Sequence, residues 1–300
     1  MNESKKVFFI INKFSGTGYQ DSIEGRIIDT CASLNFGCTI EFTRDRGHAT
    51  ELAQTAVAEK FDMAFAVGGD GTVNEVAQGL VDSPVTMGIL PKGSGNGLAR
   101  HLGVPMKFSG ALGLLQSSRV INMDTMSVNG KLSVNVSGIG FDGHIAGLFG
   151  KNGKRGLVGY TTLVLKEFMS YREFEADVVL DGKHHRTSSF IIALANSSQF
   201  GNNAVVAPLA SVCDELIDVC FIRKVPFSRV VGFATKMFSG TLDRSSLVDI
   251  RKGKQVSITF PKAVAFHIDG EAQEPASQFD VQITPGNLKM VVPERNGKPV

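Results

Sequence analysis

The stretch that most constrains the fold is Ala64-Phe65-Ala66-Val67-Gly68-Gly69-Asp70-Gly71-Thr72-Val73-Asn74-Glu75. Met63 to Val67 has the length and bounds of a buried strand. Val73, Val76, Ala77 and Leu80 then recur at helical spacing, so a helix follows at once. Glycines between the two allow positive φ and let a ligand approach the main chain closely. Their N–H groups, with those of the helix N-terminus, can receive an anionic phosphate. Asp70 stands in the middle of this turn. A carboxylate there can serve a phosphate-bound cation through water, orient an alcohol, or simply shape the turn.

The chain before and after repeats the pattern. Lys6–Asn12, Cys38–Thr43 and Val85–Leu90 read as strands. Helices are predicted from Asp21 to Leu34, from His48 onward, and up to about Gln116 through Leu112 and Leu115. Strand and helix alternate four times, which predicts an α/β domain: a Rossmann-like, doubly wound parallel sheet with ligands at the strand carboxyl ends. Two glycine-rich loops lie at such ends, Gly68–Gly71 and Pro91-Lys92-Gly93-Ser94-Gly95-Asn96-Gly97, and so does Thr43.

The texture changes near Val120. Asn129-Gly130 separates Asn122–Val128 from Lys131–Val136 as a hairpin signal, and Asp181-Gly182 repeats the device. Further strand-like runs cover Glu175–Leu180, Phe190–Ala195, Ile217–Ile222, Leu247–Arg251, Gln255–Phe260, Ala263–Ile268 and Phe279–Thr284. Helices are predicted at Gly156–Tyr171 and Phe227–Phe238. The expectation is a first domain over residues 1–121 and a second, mostly antiparallel and sandwich-like β domain over 122–300, with a return of the extreme C-terminus to the first domain left open.

Composition narrows the function. A net charge of +2 gives no broad basic footprint for nucleic acid. Four cysteines without a CxxC pair or a histidine at ligand spacing suit a reduced, cytoplasmic chain. No apolar run approaches the roughly 20 residues of a membrane span, so any membrane contact is expected to be peripheral.

These motifs together resemble the diacylglycerol kinase and sphingosine kinase superfamily of lipid kinases, over nearly the whole length. Asn12 with Ser15-Gly16 is similar to the family's opening Asn-Pro-x-Ser-Gly, with Lys13 where proline is usual. Thr43 to Ala49 resembles its Thr-x-x-x-Gly-His-Ala. Gly68-Gly69-Asp70-Gly71-Thr72 with Asn74-Glu75 is the central signature, and Pro91 to Ala99 follows. Gly140-Phe141-Asp142, Ala207-Pro208 with Asp214 to Val219, and Asp269-Gly270-Glu271 complete the order. Two departures stand out. Gly97 occupies a position where bacterial diacylglycerol kinases carry an acid of their magnesium network. Glu215 replaces the glycine usual after Asp214.

The resemblance implies an ATP-dependent kinase that passes the γ-phosphate of MgATP to a lipid alcohol. It implies nucleotide contacts from Asn12, Thr43, Gly68, Gly69, Asp70, Gly71, Thr72, Asn74, Gly93, Ser94, Gly95 and Asn96. It assigns Glu271 and Asp70 to catalysis, Asp142 to the substrate head group, and magnesium to Asp70, Ser211, Asp214 and Leu216. Each has a bland alternative: Thr72 a helix cap, Asn12 an Asx turn, Asn74 a solvent-facing helix polar, Glu271 a hairpin acid. Leu148-Phe149, Leu157-Val158, Leu163, Val164 and Phe168 either line an acyl pocket or pack. Lys151, Lys154 and Arg155 either meet anionic head groups or form a solvated loop. The implied enzyme visits the membrane surface as a peripheral protein, and a homodimer is compatible with it. Two other functions remain open from sequence: an NAD kinase or phosphofructokinase relative, and a nucleotide-binding regulatory protein without catalysis.

Overall fold

A computed structural model describes residues 4–16, 22–152 and 167–294. The chain forms two compact units, Met1–Thr125 with Pro285–Val300, and Met126–Thr284.

In the first unit the alternation read from the sequence is present. It runs β1 (Lys6–Ile11), α1 (Ser22–Ser33), β2 (Gly37–Phe42), α2 (His48–Ala58), β3 (Met63–Gly68), α3 (Asp70–Leu80) and β4 (Thr86–Pro91). The strands lie parallel in the order β2-β1-β3-β4. Val7–Ile11 and Ala64–Val67 are fully or almost fully buried. Such continuous apolar runs are what strands covered on both faces require. Register then fixes the site. Ile11 lies beside Phe42 and Val67, and Gly68 beside Pro91. Four loops therefore leave the sheet at one carboxyl edge.

After β4 the single helix expected up to Gln116 is instead two short ones, α4 (Gly97–His101) and α5 (Phe108–Leu112), with a 3-10 turn over Gly113–Leu115. Gly103, at φ +73°, and Pro105 break the run.

The chain passes into the second unit within β5 (Arg119–Val128). There follow β6 (Lys131–Ser133), β7 (Val136–Gly140), α6 (Phe141–Asn152), β8 (Phe174–Leu180), β9 (Lys183–Ser189), β10 (Ile191–Ala195), β11 (Ile217–Ile222), a helix over Val230–Phe238, β12 (Val248–Gly253), β13 (Gln255–Ile268) and β14 (Glu271–Val292). The last eight residues of β14 return to the first unit, where Met290 pairs in parallel with Met87 of β4.

Within the second unit β12-β11-β10-β7-β13 are antiparallel neighbours, and β13 also pairs with β14 and β8. The two runs expected at Gln255–Phe260 and Ala263–Ile268 are one strand. Pro261, which cannot donate to a ladder, and two register shifts mark where they join. The first half of β13 pairs with β8 and the last with β7. A strand that changes partners at a bend carries a sheet around a sandwich-like core. Ile139, Val178, Ile192, Val219, Ile258, Phe266 and Phe279 fill that core.

The strand expected over Lys131–Val136 is interrupted at Val134-Asn135, and the reason is specific. Both backbone N–H groups donate to the carboxylate of Asp269, not to a neighbouring strand. Of the helix expected at Gly156–Tyr171, residues 156–166 lie outside the described residues, and 167–170 are helical. Leu157, Val158, Leu163 and Val164 fall in that stretch; Lys154, Arg155 and the side chains of Phe149 and Lys151 also lie outside the described residues. Phe168 packs against Phe141 and Phe190, so it belongs to an aromatic cluster beside α6.

Candidate active site

Main chain meets main chain at the carboxyl edge of the parallel sheet. Gly16 adopts φ +66°, and a Cβ there would stand 1.7 Å from the carbonyl oxygen of Lys92. A Cβ on Gly93 would stand 2.6 Å from Cα of Gly69. These glycines are required by close approach of three loops. The loops are also bonded. Lys92 N–H donates to Gly68 O at 2.8 Å. Asn12 Nδ2 donates to Thr72 Oγ1 at 3.0 Å, and Phe14 N–H to Asn12 Oδ1 at 2.9 Å.

Asp70 is the clamp between the two glycine loops. Its Oδ2 accepts from Asn96 N–H at 2.9 Å and its Oδ1 from Gly97 N–H at 2.7 Å. Asn96, left-handed at φ 49°, closes the second loop on itself. Its Oδ1 accepts from Gly93 N–H at 3.0 Å and its Nδ2 donates to Gly93 O at 2.7 Å. Gly97 therefore contributes its N–H at the place where an acid was expected. Asn12, Gly68, Gly69, Asp70, Thr72, Gly93 and Asn96 form one bonded or contacting group. Gly71 opens α3 beside them, and Ser94 is exposed at the tip of the second loop. Thr43 N–H donates to Ile11 O at 3.0 Å, at the neighbouring strand end. Asn74 sits one helical turn on and accepts from Gln78 Nε2 at 2.6 Å.

Three side chains that the sequence reading left without a role matter here. Glu75 reaches from α3 to the start of α2, accepting from Gly47 N–H at 3.0 Å and Ala49 N–H at 3.3 Å. This joins the Gly-His-Ala and Asn-Glu motifs and caps a helix whose own N-cap, Gly47, has no side chain. His48 accepts from Arg44 N–H through Nδ1 at 3.1 Å, which makes it a loop former. Lys92 stands among the phosphate-type loops, and burial lowers the pKa of its ammonium. Its only sequence signal was its place between Pro91 and Gly93.

The remaining candidates belong to the second unit. Asp142 opens α6, and its Oδ2 lies 2.7 Å from Nε2 of His267. Gly270 N–H donates to Nδ1 of the same ring at 3.0 Å, so the proton facing Asp142 is on Nε2. Gly138 makes room for the pair; a Cβ there would stand 2.2 Å from Asp142 Oδ2. Nothing in the alternating pattern around His267 announced it. Glu271 is the first residue of β14, half-buried, after the turn Asp269-Gly270 with φ of 48° and 89°. Asp269 is buried, accepting from Ser133 Oγ at 2.6 Å, Val134 N–H at 2.8 Å and Asn135 N–H at 3.1 Å.

The expected magnesium ligands behave in two ways. Each Asp70 oxygen accepts one backbone N–H, and a carboxylate has acceptor capacity beyond two such bonds. That fits a hold on a metal-bound water. Asp214 does not fit. Its Oδ1 accepts from Leu216 N–H at 3.2 Å, and its Oδ2 is 2.9 Å from the Lys252 ammonium. Ser211 Oγ accepts from Cys213 N–H at 3.3 Å. Among the described residues, no three His, Cys, Asp or Glu side chains gather as a metal cluster.

Comparison with known proteins agrees with the architecture. Residues 6–128 match the sequence model of the diacylglycerol kinase catalytic domain, and 136–292 that of the YegS C-terminal NAD kinase beta sandwich-like domain. A diacylglycerol kinase of Bacillus subtilis (strain 168) is 27% identical over 271 residues, covering 87% of this chain and 82% of the relative. A YegS-like lipid kinase of Pseudomonas aeruginosa (strain UCBPP-PA14) is 28% identical over 259 residues, covering 85% and 84%. The solved structure of a diacylglycerol kinase from Bacillus anthracis str. Sterne shares the fold, with a TM-score of 0.77 at 21% identity over 100% of both chains. The resemblance seen in the motifs is therefore borne out, and the protein belongs to the diacylglycerol kinase and YegS-like family of lipid kinases.

Proposed function

We propose that the protein transfers the γ-phosphoryl group of MgATP to the hydroxyl of a diacylglycerol-type or sphingoid-type lipid alcohol, at a membrane surface. The observation that carries the reading is the Asp70 clamp, which holds the two glycine loops together where their main chains approach closely. Phosphoryl transfer asks mainly for positioning and charge neutralisation. N–H groups at Gly71, Thr72, Ser94 and Gly95, with the hydroxyls of Ser94 and Thr43, suit the phosphates, and Lys92 adds positive charge; Gly93 and Asn96 shape the second loop through their own hydrogen bonds. Asn12 and Asn74 complete the assigned contacts, Asn12 by fixing Thr72. Magnesium, arriving with ATP, neutralises charge on the phosphates, and Asp70 would hold it through water.

The lipid hydroxyl oxygen attacks the γ-phosphorus. A new P–O bond forms, the bond to the β-phosphate bridging oxygen breaks, and ADP leaves. Glu271 takes the hydroxyl proton, a role worth roughly 10²–10⁴-fold. Asp142, oriented by His267, accepts from a polar head group of the substrate. Among the described residues no helix is long and apolar enough to cross a membrane, so the lipid is collected at the surface.

The test is a labelled-ATP assay over diacylglycerol, monoacylglycerol, sphingosine and ceramide in mixed micelles, with NAD as a soluble acceptor. Transfer to a lipid alcohol, reduced at least 100-fold in Glu271→Gln with ATP affinity intact, is the expected result. Transfer to NAD alone, or ATP binding without turnover on any acceptor, would refute the reading.

A further inference from the structure

We propose that the ammonium of Lys252 is the resident cation of the Leu209–Asp218 segment, occupying the Asp214 carboxylate to which the family resemblance assigns a divalent ion. Its Nζ lies 3.0 Å from Leu209 O, 2.9 Å from Asp214 Oδ2 and 3.1 Å from Asp218 Oδ2. An ammonium has three N–H donors and no acceptor, and here it meets three oxygens. The contact with Asp218 is an ion pair more than a well-directed hydrogen bond.

Geometry excludes sharing. Magnesium needs oxygens at about 2.0–2.1 Å in near-octahedral array. An ammonium already 2.9 Å from the Asp214 carboxylate, the one ligand common to both arrangements, would repel it at contact distance. The opposite charge is also built into the sheet, because Lys252 lies directly across from Asp218 in the β11–β12 ladder. Asp218 is buried, its side chain 2% exposed, so its carboxylate needs a fixed partner.

The neighbouring departure from the family pattern follows the same logic. Glu215 adopts φ 60°, a left-handed conformation that explains why glycine is usual there. Its Oε2 lies 2.7 Å from Nζ of Lys254, two residues beyond Lys252. Lys252 in β12 and Lys254 just after it thus meet acids at 214, 215 and 218, in the loop before β11 and at its start. A loop that a free ion would otherwise order is tied by the chain itself.

The experiment is thermal melting of the full chain without nucleotide, in EDTA and in 5 mM magnesium or calcium. The wild type is expected to melt at the same temperature in all three. Lys252→Gln leaves Asp214 and Asp218 without their cation. It should melt roughly 5–10 °C lower in EDTA and recover most of that loss in magnesium or calcium, with metal binding seen by calorimetry. Lys252→Gln with Asp214→Asn should not respond to either ion. A wild type stabilised by magnesium, with the gain lost in Asp214→Asn, would overturn the proposal. So would a Lys252→Gln variant that folds but binds no ion. If that variant is unfolded in every buffer, the wild-type comparison alone decides. Because the readout is stability and ion binding, the outcome is independent of whether any lipid is phosphorylated.

Discussion

Replacing Asp269 by Asn separates architecture from chemistry in the Asp269-Gly270-Glu271 turn. Asp269 accepts three hydrogen bonds, from Ser133 Oγ and from the N–H groups of Val134 and Asn135, in a site where it is 5% exposed. Asn keeps the volume and tolerates the left-handed φ of 48° found there. It offers one carbonyl oxygen where the carboxylate offered two. If that oxygen keeps Ser133 and Asn135, the amide nitrogen then faces Val134 N–H, donor against donor. One charge-assisted bond is lost, about 1.5–3 kcal/mol, and one buried donor is left without an acceptor, about 1–3 kcal/mol. Partial relaxation brings the expected cost to about 3 kcal/mol. For a unit the size of Met126–Thr284 each kcal/mol moves the melting point roughly 2–4 °C. A fall of roughly 6–12 °C, measured by circular dichroism without nucleotide or metal, is therefore expected. Kinase activity assayed well below the new transition should fall far less than in Glu271→Gln. An Asp269→Asn protein that melts within about 1 °C of the wild type but has lost turnover would refute this reasoning and move the base to Asp269.

Gly93→Ala sets a Cβ 2.6 Å from Cα of Gly69, so the two phosphate-type loops must part. ATP affinity should fall at least tenfold while Gly113→Ala, whose Cβ meets nothing within 4 Å, leaves it unchanged; equal affinities would remove the close approach from the binding site. Asp142→Asn bears on the imidazole of His267, where burial lowers the pKa and the carboxylates of Asp142 and, less, Asp269 together raise it by more, for a net rise. Removing the Asp142 charge leaves burial as the dominant influence, so the pKa followed by NMR of the ring should drop below its wild-type value, and no change would show that Asp142 does not set it. Glu75→Gln weakens the cap on α2 and should cost about 1 kcal/mol, read by chemical denaturation; a neutral result would mean that solvent replaces the carboxylate at Gly47 and Ala49.

What the sequence made legible, and what it did not, divides along the range of the interaction. β3, the glycine turn and α3 are encoded within a dozen consecutive residues, because alternating apolar period and glycine placement are local properties. β1, β2 and β4 are likewise found within a residue or two of their expected bounds. The misread strand at Lys131–Val136 failed for the opposite reason. Its own residues favour extended structure, but the acceptors for Val134 and Asn135 lie on Asp269, more than 130 positions away. The same holds for Asp70. Its position in the motif announced a functional carboxylate, yet its two hydrogen bonds run to Asn96 and Gly97, 26 and 27 positions on. A motif read alone assigns an acid to the ligand. The fold assigns the same acid first to the backbone that will hold the ligand. A carboxylate has four lone-pair sites, so service to the loop does not by itself exhaust it. Asp214 marks the contrasting case. One of its oxygens serves Leu216 N–H and the other meets a cation carried on the neighbouring strand. The metal role expected of Asp214 therefore meets a competing charge that the motif alone does not show.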